Sequence, residues 1–174
     1  MKTLLPLFAI LLSSIMLESQ PYEHNYLVKV GDTAPDFQII ETSGKTYRLS
    51  DLRGSVVMLQ FTASWCSVCM KEMPYIEQEI WLPGKEKGLK VIGIDYNEPK
   101  AKVVEFAQKT KITYPLALDP GGEIFGLYAE KGAGVTRNVI INREGKIIAL
   151  TRLFKMEEFN AMKEIIFREL SQKP

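Results

Sequence analysis

Residues 56–81 read VVMLQFTASWCSVCMKEMPYIEQEIW, and this stretch decides the fold. Its beginning, Val56 to Phe61, is almost continuously apolar, which is typical of a central strand buried on both faces of a sheet. From Ser67 to Trp81 apolar side chains recur at spacings of three and four, which predicts an amphipathic helix with a kink at Pro74. Cys66 stands at the junction of the predicted strand and the predicted helix.

The segments downstream of this unit extend it into an α/β pattern. Leu89 to Asp95 predicts a second buried strand, and Lys100 to Lys111 predicts a second helix. Asn138 to Asn142 and Lys146 to Arg152 predict an antiparallel hairpin, and Met156 to Leu170 predicts a closing helix. We therefore expect an α/β fold in which a central mixed β-sheet is flanked by helices on both faces.

The composition fits one globular domain with a short appendage. The chain has 174 residues, of which 46% are hydrophobic. Its 22 lysines and arginines nearly cancel its 21 aspartates and glutamates, and like charges form no long run. This balance argues against nucleic acid as a partner.

The first residues differ in kind from the rest. A mostly apolar stretch from Leu4 to Leu17 follows a single early lysine, which predicts that residues 1–20 are a signal peptide or an N-terminal membrane anchor. The stretch is shorter than the ~20 residues that span a bilayer, which favours a signal peptide, but the cleavage site is poor and cleavage stays open. We assign residues 21–28 to a linker and residues 29–172 to the domain.

The two cysteines of the chain lie in the sequence Cys66-Ser67-Val68-Cys69. A bridge that closes so small a loop restrains the unfolded chain very little, so stability is a weak reason for this pair. The thiolate is the nucleophile in disulfide exchange, and the amino end of a helix stabilises an anion. We therefore predict that Cys66 attacks a partner disulfide and that Cys69, one turn further on, resolves the mixed disulfide.

A zinc site is the alternative for a pair of cysteines at this spacing. A structural zinc site needs four ligands, and this chain adds only His24 to the two sulfurs, so a metal would have to be shared between two chains. We expect no bound metal and no organic cofactor; the redox group would be the Cys66–Cys69 disulfide itself.

Two segments resemble the TlpA/ResA-like thioredoxins, which are redoxins of the AhpC-TSA-like group. Phe61 to Pro74 (FTASWCSVCMKEMP) resembles their active-site segment, and Gly31 to Phe37 (GDTAPDF) resembles the segment that leads into their domain. The match extends through most of residues 29–172. The resemblance implies a thioredoxin-like fold, a periplasmic or otherwise extracytoplasmic location, and reduction of disulfides in exported partners by a protein that a membrane or periplasmic thiol donor reduces again.

Three further side chains gain candidate roles. Glu72 lies three residues after Cys69 and matches an acidic residue of the ResA-like motif, so it is either a partly buried proton carrier or a solvated helix residue. Gln60 occupies the place where thioredoxins often hold a buried aspartate; it cannot titrate, so a proton must move through Glu72 or water. Trp65 either covers the disulfide as an apolar docking surface or packs in the core.

The chain departs from the resemblance where the thioredoxin-like proteins carry a cis-proline opposite the two cysteines. Thr136 stands at that position, and because a cis bond before a non-proline residue costs about 3–4 kcal/mol, we predict that the Val135–Thr136 bond is trans. Val135 and Thr136 are candidate substrate contacts. Arg137 either directs positive charge toward the cysteines or lies in solvent.

Two rival functions stay open. Gly132 to Arg137 also resembles a loop of peroxiredoxin-like redoxins, which implies a thiol peroxidase, but Ala63 stands where those proteins carry threonine or serine three residues before the reactive cysteine. The absence of the cis-proline at position 136 would also fit a catalytically weak binding module.

The direction of the redox reaction is open as well, since Ser67 and Val68 replace a more usual proline between the cysteines.

Overall fold

The structure is a computed structural model that describes residues 23–172. The predicted signal peptide or anchor at residues 1–20, and the first two residues of the predicted linker, lie outside the described residues. Seven strands form in the described part: β1 Gln38–Ile40, β2 Thr46–Arg48, β3 Val56–Thr62, β4 Leu89–Tyr96, β5 Leu116–Asp119, β6 Arg137–Ile141 and β7 Ile147–Arg152. The last five make one mixed sheet in the order β5-β4-β3-β6-β7, and β1 pairs with β2.

Strand β3 lies in the middle of the sheet, as the apolar run predicts. It pairs with β4 in parallel and with β6 antiparallel, and every one of its residues is buried. Successive residues point to opposite faces, so Val57, Leu59 and Phe61 enter one apolar core while Val56 and Met58 enter the other.

Helices cover both faces, as expected of an α/β fold. Their bounds are α1 Ser67–Tyr75, α2 Leu82–Gly84, α3 Lys100–Thr110, α4 Phe125–Tyr128 and α5 Met156–Ser171. Helices α1, α3 and α5 pack on the face that holds Met58, and α4 packs with the β1–β2 hairpin on the face that holds Phe61.

The helix after the cysteines differs from its prediction. We expect one kinked α-helix from Ser67 to Trp81, but the α-helix ends at Tyr75 and a π-helical segment runs over Ile76–Trp81. Pro74 has no N–H to donate to the carbonyl one turn earlier, and the change in helix type follows directly after it.

The assignment of residues 26–28 to a linker is wrong. Tyr26 forms a β-bridge with Ala129, and its hydroxyl donates to the Thr151 carbonyl oxygen at 2.7 Å. Tyr26 and Val28 are both buried in the core because their alternating apolar side chains close the face that holds Phe61. The domain therefore starts before residue 29.

Candidate active site

The two cysteines form a disulfide at the amino end of α1. Cys66 is the N-cap residue, and the backbone N–H of Cys69 donates to its Sγ at 3.1 Å. This arrangement confirms the predicted junction of strand and helix. Cys66 is 8% exposed and Cys69 is fully buried, so Cys66 is the more accessible residue of the pair.

The loop before Cys66 presents an exposed tryptophan. Trp65 is 62% exposed, so the alternative that it packs in the core is wrong; the alternative that it forms an apolar docking surface stays a prediction. The preceding residue is held firmly, because the Ser64 backbone N–H and hydroxyl donate to the two carboxylate oxygens of Glu98 at 2.5 and 2.6 Å. The Glu98 side chain is itself buried.

A second buried carboxyl group, that of Asp95, lies near Glu98. Asp95, at the end of β4, is fully buried, and neither of its oxygens accepts a hydrogen bond from any residue in the range 23–172. Burial raises the pKa of Asp95 to about 7, and the neighbouring charges of Glu98 and Asp119 act in the same direction. Sequence analysis missed Asp95 and Glu98. Their signal is that two acidic residues stand at and just after the end of β4, next to the end of β3 in the sheet.

Glu72 is buried in α1 and faces the sheet. It is 1% exposed, so the solvated alternative for this residue is wrong. Asn138 Nδ2 donates to one carboxylate oxygen at 2.7 Å and Gln60 Nε2 donates to the other at 3.3 Å. Burial raises the pKa of Glu72 to about 7, although these two hydrogen bonds pull it down.

Glu72 belongs to a buried row of polar side chains. The Tyr114 hydroxyl donates to Gln60 Oε1 at 2.7 Å, and Asn138 Nδ2 also donates to Thr151 Oγ1 at 2.9 Å. Sequence analysis did not single out Asn138 or Tyr114. The signal for Asn138 is the sheet register, since Gln60 and Asn138 are directly opposite each other in β3 and β6.

Thr136 lies against both sulfurs. Its Oγ1 is 3.1 Å from Cys66 Sγ and 3.3 Å from Cys69 Sγ, and the residue is buried. The Val135–Thr136 peptide bond is trans, as predicted. Val135 is also buried beside it.

Arg137 does neither of the two things that the sequence suggests. It is fully buried, so the solvent-exposed alternative is wrong, and its guanidinium lies 4.5 Å from the Tyr26 ring centroid. Its hydrogen bonds go to the carbonyl oxygens of Gly134 at 3.0 Å and His24 at 2.6 Å. Since successive residues of a strand point to opposite faces, placing Thr136 against the sulfurs turns Arg137 away from them.

Comparison with known proteins assigns this geometry to a family. The model of the AhpC/TSA family matches residues 30–150. The chain belongs to the AhpC/TSA family.

Relatives within the AhpC/TSA family name its chemistry. The chain is 35% identical to the thiol-disulfide oxidoreductase ResA of Bacillus anthracis, over 70% of this chain and 68% of the relative. It is also 34% identical to ResA of Geobacillus thermodenitrificans, over 69% of this chain and 67% of the relative. This AhpC/TSA family member is a thiol-disulfide oxidoreductase.

Solved structures agree with the thioredoxin-like fold. A candidate protein disulfide isomerase from Bacteroides thetaiotaomicron is 56% identical, with a TM-score of 0.82 over 85% of this chain and 94% of that one. A candidate thiol:disulfide interchange protein DsbE from Chlorobium tepidum is 28% identical, with a TM-score of 0.72 over 83% of this chain and 99% of that one.

Two features of this AhpC/TSA family member bear on metals and membranes. Between residues 23 and 172, no group of three or more histidine, cysteine, aspartate or glutamate side chains is arranged to hold a metal ion. Across the same residues, every helix is too short or too polar to pass through a bilayer.

Proposed function

We propose that this chain works outside the cytoplasm and reduces disulfides of exported proteins by dithiol exchange at Cys66 and Cys69. The observation that carries the proposal is the placement of the two sulfurs. Cys66 caps α1, accepts the Cys69 N–H, and is the more exposed of the pair. A sulfur in that position is stabilised as an anion, which is the form that attacks a disulfide.

The exchange has two balanced steps. The Cys66 thiolate attacks one sulfur of the partner disulfide, forms a mixed disulfide and releases the other partner sulfur as a thiolate, which takes up a proton. Cys69 then loses its proton and attacks Cys66, which forms the Cys66–Cys69 disulfide and releases the second partner sulfur. Two electrons pass to the partner, whose two sulfurs take up one proton that Cys69 releases and one from the solvent, and a membrane or periplasmic thiol donor restores the dithiol.

Glu72 is our candidate for the group that takes the proton of Cys69. It lies one helical turn beyond Cys69 on the buried side of α1, and its pKa of about 7 lets it both accept and release a proton near neutral pH. The carboxylate bonds to Gln60 and Asn138 rather than to a sulfur, so a water molecule would have to link it to Cys69.

Partner binding is proposed to involve three residues beside the disulfide. Trp65 offers an exposed aromatic surface next to Cys66. Thr136 contacts both sulfurs, and Val135 precedes it in the chain. Arg137 is left out of this set because its guanidinium is buried against the Tyr26 ring and donates to the carbonyl oxygens of Gly134 and His24.

Location and partner class rest on the sequence. The apolar stretch at residues 4–17 supports export, with a signal peptide or an uncleaved anchor as its form. The names of the ResA relatives support disulfide chemistry, and exported proteins are where stable disulfides occur. No cofactor beyond the cysteine pair is proposed, and no nucleic-acid partner.

Reduction of insulin disulfides with dithiothreitol as donor tests the proposal. The wild-type protein should accelerate the reaction, and Cys66→Ser should abolish the acceleration. If the wild-type protein has no effect that Cys66→Ser removes, the proposal is wrong; a binding module would show neither this activity nor Cys66-dependent consumption of peroxide.

A thiol peroxidase is the rival enzyme. Ala63 supplies no hydroxyl three residues before Cys66, and Arg137 bonds away from the sulfurs, so neither group that would activate peroxide is at hand. Consumption of hydrogen peroxide by the same two proteins separates the rivals: fast Cys66-dependent consumption without insulin reduction would favour the peroxidase.

A further inference from the structure

Thr136 makes a contact that substrate binding alone does not explain. Its hydroxyl lies within hydrogen-bond distance of both Cys66 Sγ, at 3.1 Å, and Cys69 Sγ, at 3.3 Å. Both sulfurs belong to the disulfide and carry no hydrogen, so the hydroxyl is the donor in whichever of the two bonds forms. One donor therefore serves two acceptors.

Few other groups in the described residues donate hydrogen bonds to the two sulfurs. Among residues 23–172, the hydrogen bonds to the two sulfurs come from Thr136 and from the Cys69 backbone N–H, and no lysine, arginine or histidine side chain takes part. The charged or titratable side chains described around the site make no hydrogen bond to a sulfur. Glu72 bonds to Gln60 and Asn138, Glu98 to Ser64, and Arg137 to backbone carbonyl oxygens, and among the described residues the Asp95 carboxyl group has no hydrogen-bond partner.

Thr136 is also fixed in place independently of the disulfide. It is buried, and its carbonyl oxygen accepts the Leu153 backbone N–H at 3.0 Å, which ties it to the chain just beyond β7. This backbone attachment does not involve the disulfide, so we expect Thr136 to keep its place when the pair is reduced.

We propose that Thr136 is a catalytic residue of the exchange, whose hydroxyl donates a hydrogen bond to Cys66 when that sulfur is the attacking thiolate and to Cys69 when that sulfur becomes the resolving thiolate. The proton of the hydroxyl is not transferred; the bond changes its acceptor as negative charge moves from one sulfur to the other. This inference rests on the proposed thiol exchange and assigns the hydroxyl a role within it.

The test is the rate at which iodoacetamide alkylates Cys66 in the reduced protein, followed from pH 4 to pH 10. Thr136→Val keeps the shape of the side chain and removes the donor. We expect the midpoint of the pH–rate profile to rise by about one pH unit, because a hydrogen bond to a charged group contributes roughly the free energy of one pKa unit. Below the midpoint, a shift of this size means about tenfold less thiolate. Thr136→Ser should restore the wild-type midpoint. Thr110→Val, which removes a hydroxyl that bonds within α3, is the matched control and should leave the midpoint unchanged.

An unchanged midpoint in Thr136→Val, or an equal rise in Thr136→Ser, would overturn the inference. If Thr136→Val does not fold, Thr136→Ala removes the same donor and decides the outcome in the same way. The proposed function fails separately, if the wild-type protein does not reduce insulin; a normal insulin rate combined with an unshifted midpoint would refute the role of Thr136 alone.

Discussion

If the buried carboxyl group of Glu72 takes the proton of Cys69, the rate of disulfide exchange should depend on pH. Glu72 has a pKa of about 7 because burial penalises its charged form. In Glu72→Gln we expect the rate of insulin reduction at pH 7.5 to fall about 10²-fold, the lower end of what a positioned base contributes, and the inflection of the rate near pH 7 to disappear. Glu164→Gln, on the exposed side of α5, is the control and should keep both.

The same residue links folding stability to pH. Its folded pKa lies above the value of about 4.5 that an exposed glutamate has, so its neutral form stabilises the fold at low pH, and that contribution is lost as the pH rises through about 7. The free energy of unfolding of Glu72→Gln, relative to wild type, should therefore be higher at pH 8 than at pH 5. If the difference in the free energy of unfolding between Glu72→Gln and wild type is the same at pH 5 and pH 8, folding does not raise the pKa of Glu72.

The helical segment that follows the cysteines depends on a carboxylate for its position. Glu77 is buried in the π-helical segment, and its two oxygens accept the Thr113 backbone N–H at 2.8 Å and the Thr113 hydroxyl at 2.7 Å. We expect Glu77→Ala to lower the free energy of unfolding by about 1–3 kcal/mol, because it removes both hydrogen bonds by which this charged group holds Thr113 to the segment. Urea denaturation measures this loss, and Gln78→Ala, exposed on the same segment, should change the midpoint little.

Elements with a strong local pattern could be predicted from the sequence, and contacts across elements could not. The apolar run of β3 and the spacing of α1 predict the junction that places Cys66 at a helix end, because both signals are local. The burial of Glu72 depends on Asn138, 66 residues away, and on the register of β3 with β6. The direction of Arg137 likewise depends on Tyr26 and His24, which the local pattern assigns to a linker.

The segment before residue 29 is part of the folded unit. Tyr26 lies under the Arg137 guanidinium and donates to the Thr151 carbonyl oxygen, and His24 accepts from Arg137. A chain that begins at residue 29 should therefore unfold with a free energy about 3–5 kcal/mol lower than a chain that begins at residue 23, since it loses the buried Tyr26 ring and the His24 carbonyl oxygen and leaves Arg137 only its bond to the Gly134 carbonyl oxygen. Equal denaturation midpoints for the two chains would contradict this account of Arg137.

The two faces of the sheet carry different groups of polar and charged side chains. One face holds α1 with Glu72 and the row of polar side chains around it, and the other holds Tyr26, Arg137 and α4. The cysteine pair lies beyond the end of β3, and Thr136, directly before β6, contacts it. The sheet thus brings Thr136 to the cysteine pair, and Asn138 to Glu72, from segments that are far apart in the chain.

Trapping of the mixed disulfide tests most directly whether Cys66 is the attacking sulfur and Cys69 the resolving one. Reduced Cys69→Ser should form a lasting covalent adduct with insulin through Cys66, and reduced Cys66→Ser should form far less, as measured by mass spectrometry of the intact complex. An adduct that forms mainly in Cys66→Ser, through Cys69, would contradict the account.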